Sequence, residues 1–106
     1  MESAKRRVPK VEPVTAGKIR YEALRGARSR GFNQNGGVIA AVDTKTDKEL
    51  WTLLVYETKY DANEEADVQD VFITRLKLAD KGKTLVVENE KGKKFTVDIE
   101  KRMVVQ

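Results

Sequence analysis

Histidine and cysteine are both absent from this chain of 106 residues. Without histidine there is no side chain that titrates near neutral pH in its ordinary state, no Ser-His or Cys-His nucleophile pair, and none of the commonest transition-metal ligand. Without cysteine there is no disulfide framework and no thiolate chemistry. Serine is scarce too: only Ser3 and Ser29 occur, both in stretches that read as irregular. Catalysis would fall to carboxylates, lysines and tyrosines, so the expectation is a non-enzymatic protein with no cofactor and no metal site. No apolar run approaches the roughly 20 residues of a membrane span, and no apolar stretch follows the basic N-terminal residues as a signal peptide requires. No membrane partner is expected. The compartment stays unknown, with the cytoplasm as the default and the periplasm the alternative if a signal peptide has been removed.

Charge is abundant but uneven. Residues 1–31 hold nine basic side chains against three acidic ones, whereas the whole chain is only +4. The basic character therefore belongs to the N-terminal third.

The densest structural signal is Gly37 to Tyr56, where two apolar runs flank a polar turn. Val38 to Val42 is apolar on both faces. Leu50 to Tyr56 places Trp51, Leu53 and Val55 on one face and Leu50, Leu54 and Tyr56 on the other. The pattern predicts a central β-hairpin covered on both sides. In its turn, Asp43 is placed to accept hydrogen bonds from turn amides, and position 47 would fall in the left-handed region, which aspartate tolerates better than most residues.

The stretch Ala41-x-Asp43-x-x-x-Asp47-Lys48-Glu49-x-Trp51 resembles the repeat of the quinoprotein-like (PQQ-type) β-propellers, in which an alanine and an aspartate precede a Thr-Gly-Lys turn and a tryptophan follows. The resemblance implies a docking role for Trp51 and turn-bracing roles for Asp43, Thr46 and Asp47. Asp47 replaces the family's glycine. The match spans about fifteen residues and occurs once, whereas a propeller repeats its motif over several blades. No quinone chemistry carries over.

Along the chain, residues 1–16 contain Pro9 and Pro13, several charges and no period, and predict a flexible basic arm; residues 17–106 form a single β domain. Lys18 to Leu24 alternates as a strand with one wet face and lies at or near a sheet edge. Arg25 to Gly37, rich in Gly, Asn and Arg, reads as a long loop. Residues 60–70 form an acidic connection, in which Asp61 and Glu64 resemble a helix-start capping box. Three further strands follow, Val71 to Ala79, Lys83 to Asn89 and Lys94 to Ile99, joined by turns at Asp80-Lys-Gly82 and Glu90-Lys-Gly92 as an antiparallel meander. In the first of them Phe72, Leu76 and Leu78 share one face and Val71 and Ile73 the other. Met103 to Val105 adds a short terminal strand or frays.

Two sites compete with structural explanations. Arg25, Arg28 and Arg30, with amides near Gly26 and Gly31 and the basic arm, could hold phosphate or another anion, nucleic acid included; the alternative is a solvated loop. No Walker or dinucleotide fingerprint is present. The oxygens of Asp61, Asn63, Glu65, Asp67 and Gln69 are spaced like a calcium loop, but Ala66 and Phe72 stand where glycine and the bidentate glutamate belong, so a solvated cap is favoured. The fold expected is all-β, about six antiparallel strands in a sandwich-like or partly open, barrel- or blade-like sheet. The function expected is a protein-binding or self-assembly module using Trp51, Leu53 and Tyr56, with anion or nucleic-acid binding through the arginine loop and arm as the alternative.

Overall fold

In the computed structural model, residues 8–60, 62 and 69–105 are described. Alternation of apolar and polar residues builds eight strands: β1 (Val14–Ala16), β2 (Ile19–Ala23), β3 (Val38–Asp43), β4 (Glu49–Leu54), β5 (Ile73–Ala79), β6 (Thr84–Asn89), β7 (Lys94–Asp98) and β8 (Met103–Val104). They form two four-stranded antiparallel meanders, ordered β1-β2-β3-β4 and β5-β6-β7-β8. The sheets pack against each other through one core, which joins Tyr21, Ile39, Ala41 and Val55 of the first half to Ile73, Leu76, Leu85, Val87 and Val97 of the second. Each fully buried aliphatic side chain there contributes about 1.5–3 kcal/mol. The sandwich is not a closed barrel.

The strand number exceeds the expected six because β1 and β8 are three and two residues long, too short for a period to show. β1 also takes the last three residues of the predicted arm. A two-residue turn, Gly17-Lys18, pairs Ala16 with Ile19, and Gly17 supplies the positive φ of 63° that such a turn uses. The segment with the capping box and most of the calcium-like spacing lies outside the described residues.

Two expectations about faces need correction. The alternation predicts Ile73 on the face opposite Leu76, yet both are buried in the one core. The register shifts between Ile73 and Arg75, leaving Thr74 as an extra residue; this bulge turns Ile73 onto the core face. The predicted central hairpin is only half central. β3 is interior and buried on both faces, because on its outer side Val42 lies between Arg20 and Glu49, and Ala40 between Glu22 and Thr52. The long side chains there arch over small ones. β4 instead ends its sheet, and Leu50 and Leu54 on its outer side are 48% and 38% exposed.

Candidate functional site

The arginine loop is not an open cradle. Gly26 (φ 65°) and Gly31 (φ 100°) bracket a 3₁₀ turn over Ala27–Arg30, and the turn consumes its own amides: Ser29 N donates to Gly26 O (3.0 Å) and Gly31 N to Arg28 O (3.3 Å). Arg30 forms an ion pair with Glu49 on β4. The Arg28 guanidinium lies over the Tyr60 ring, 5.1 Å from its centre. Arg25 is exposed. The three guanidinium groups therefore go to separate places, two of them to partners within the chain.

What holds this loop is a set of amide and carboxylate groups that the sequence did not single out. Gln34 is buried; its Nε2 donates to Gly36 O (2.7 Å) and Tyr56 O (2.8 Å), and its Oε1 accepts from Thr58 N (2.8 Å). Asn35 Oδ1 accepts from Arg28 N (3.2 Å), and Asn35 Nδ2 donates to buried Asp70 (3.4 Å). The Tyr60 hydroxyl also donates to Asp70. Burial, then the hydrogen bond to Asp70, raises the Tyr60 pKa. The backbone threads closely here: a Cβ on Gly36 would lie 2.2 Å from Val71 O. No local pattern announces Gln34 or Asp70. The only signal is the pair of glycines, Gly36 and Gly37, that begins two residues after Gln34.

A cleft of about 820 Å³ opens beside this node, lined among others by Tyr56, Lys59, Asp70, Asn89, Glu90 and Phe95. Of its three carboxylates, Glu57, Asp70 and Glu90, two have structural bonds: Asp70 as above, and Glu90 Oε1 accepts from Phe72 N (2.9 Å). Tyr56 stacks on Phe95 with ring centres 5.0 Å apart and donates its hydroxyl to Val71 O. Burial first, then the charge of Glu90, holds the Tyr56 hydroxyl far above its ordinary pKa. Among the described residues no group of three acidic side chains is placed to hold a metal ion, and no helix is long and apolar enough to cross a membrane.

The remaining candidates sit on the β3–β4 hairpin. Asp43 Oδ1 accepts from Lys45 N (2.8 Å) and Thr46 N (3.2 Å), and Thr46 Oγ1 from Lys48 N (3.4 Å). Asp47 adopts φ 62° and accepts from Arg20 (3.1 Å). Trp51 and Leu53 point inward and pack on the core's margin; the Trp51 ring is 6.0 Å from that of Tyr21 and lies under Arg102 at 5.4 Å. Thus Trp51, Leu53 and Tyr56 all pack within the chain, and the outward apolar residues of β4 are Leu50 and Leu54.

Those leucines lie on an open edge. Val55 N donates to Gly37 O, so by strand alternation the peptide groups of Thr52 and Leu54 point away from β3. The other three edges carry protection. β1 is three residues long and follows Pro13; β8 is two residues long and follows Lys101 and Arg102. β5 has the Thr74 bulge and exposed Arg75 and Lys77. Short strands, prolines, bulges and charges are the devices that keep edges from pairing. β4 has its protection at its start, where exposed Glu49 pairs with Arg30 and the register skips Leu50; from Leu50 to Val55 it carries no charge, proline or glycine. The exposed large apolar residues of the described chain are Leu50, Leu54, Met103 and Val105, on or beside β4 and β8. Arg102 over Trp51 puts these two edges on one side of the sandwich. No protein-family model matches the chain, and neither a curated protein nor a solved structure aligns with it.

Proposed function

We propose that the protein is a non-enzymatic binding or assembly module that takes a strand from a polypeptide partner on the open edge of β4. The observation that supports this reading is the contrast among the four sheet edges: three are blunted along their length, and β4 turns the main-chain groups of Thr52 and Leu54 outward beside the exposed Leu50 and Leu54. In strand addition the main chain supplies the bonds and alternate side chains supply selectivity. Trp51 and Leu53 act from behind, holding β4 flat against the core. Anion or nucleic-acid binding through Arg25, Arg28 and Arg30 is less well supported, since the side chains diverge.

A panel of displayed extended peptides tests this, selected on wild type and then probed against Thr52→Pro. Proline at 52 removes an outward amide and none that bonds β3. Peptides enriched on wild type should lose binding to the variant. Equal binding to both would place the site elsewhere.

A further inference from the structure

The partner strand need not come from a different protein. Resting on the proposed function above, we infer that the strand added to β4 is the β4 of a second copy of this chain, joined about a twofold axis at Thr52 into one continuous eight-stranded sheet. An isologous contact requires that a surface complement itself, and β4 does so in an antiparallel arrangement. With Thr52 on the axis, Leu50 of one copy stands opposite Leu54 of the other, so the two exposed leucines of each copy cover each other on the outer face. Trp51 then stands opposite Leu53 on the inner face. The outward peptide groups of Thr52 meet their own equivalents.

The ends agree as well. Lys48 comes abreast of Tyr56 and next to Glu57 of the second copy, while Asp47 stays turned onto Arg20 at 3.1 Å. A register moved by two residues would set each Leu50 against Thr52 or Tyr56 and leave the leucines unmatched.

The strand edge alone is a small contact. A strand of six residues spans only about 20 Å, and a stable dimer buries roughly 800 Å² from each partner. The second edge supplies more. Because Arg102 reaches Trp51, β8 flanks β4, and the exposed Met103 and Val105 approach the second copy as its β4 docks. All the exposed large apolar residues of the described chain thus border one contact.

The test uses the full chain. Solution mass is measured by sedimentation and light scattering from low micromolar to submillimolar concentration, for wild type, Thr52→Pro, Leu54→Lys and, as a control on another edge, Lys77→Ala. Wild type and Lys77→Ala should run as dimers, and Thr52→Pro and Leu54→Lys as monomers with unchanged circular dichroism. Because the chain lacks cysteine, Thr52→Cys adds the only thiol, and a short bis-maleimide should link two copies through it in the dimer but not after Leu54→Lys is added. A wild type that stays monomeric throughout overturns the second-copy inference and leaves strand acceptance to be judged by the displayed peptides. A dimer that survives both Thr52→Pro and Leu54→Lys overturns the inference by placing the contact elsewhere, and loss of peptide discrimination as well would remove the edge reading altogether.

Discussion

Gln34 is the side chain on which the arginine loop and the end of β4 depend. It is buried and makes three hydrogen bonds, two from Nε2 to main-chain carbonyls and one from Thr58 N to Oε1. Gln34→Ala leaves all three main-chain partners without their bond. At about 1 kcal/mol for each bond in a buried setting, the expected loss is about 3 kcal/mol. With a urea slope of about 2 kcal/mol/M, the midpoint should fall by about 1.5 M. Trp51 is the lone tryptophan and reports the transition by fluorescence. A loss below about 1 kcal/mol would refute the claim that this amide closes the loop.

Gln34→Glu separates geometry from volume. It retains the acceptor for Thr58 N but turns an oxygen toward the carbonyls of Gly36 and Tyr56, and a buried carboxylate so placed has a raised pKa. A raised acid favours folding when protonated. The penalty relative to wild type should therefore be smallest below the unfolded value of about 4.3 and grow as pH rises toward the folded pKa. A penalty that instead grows on acidification would mean that the side chain faces donors.

Other residues give simpler expectations. Leu85 is fully buried, so Leu85→Ala should cost about 2–5 kcal/mol, while Leu50→Ala on the open edge should change unfolding of the isolated monomer by about 0.5 kcal/mol or less; urea titrations at low protein concentration compare the two. Tyr56 has a pKa raised by burial and by Glu90, so its contribution is present below about pH 10 and is lost as pH climbs toward the folded value. Tyr56→Phe should lose about 1 kcal/mol at neutral pH with the bond to Val71 O, and its alkaline unfolding limb should be shallower; an unchanged limb rules Tyr56 out as a source. Asp47 holds φ 62° at the hairpin turn, so Asp47→Gly trades relief of left-handed strain against an exposed pair with Arg20, and melting should show a net change within about 1 kcal/mol either way.

Much of the fold was legible because its signals are local. Leu85 and Val87 alternate with Val86, and Phe95 and Val97 with Thr96, so β6 and β7 could be read with their faces. Asp43 bonds amides two and three residues ahead, a reach that a turn pattern covers. Signals that act at a distance were not legible. Gln34 meets its partners 22 and 24 residues away, and Asn35 meets Asp70 35 residues away; nothing beside them in sequence distinguishes them from a solvated loop. Bulges defeat period-two reading in the same way, since the extra Thr74 reverses the face of Ile73. The inner face of β4 is not legible for another reason. A strand apolar on both faces has no period to say which face is inside, so its pattern does not separate Trp51 and Leu53, which pack on the core's margin, from the outward Leu50 and Leu54.

That ambiguity is also the argument for the edge. The core needs only one apolar side of β4, and Trp51 and Leu53 supply it. Leu50 and Leu54 add little to the fold of a single copy, since each keeps a third or more of its surface in water. Strand propensity does not explain them, because it favours β-branched and aromatic side chains over leucine at an exposed position. Solubility opposes them, and the chain blunts each of its other edges with shortness, proline, lysine or a bulge. Two leucines on one side of the strand, flanking the outward peptide group of Thr52 where β4 carries no charge from Leu50 onward, make physical sense when another strand covers them.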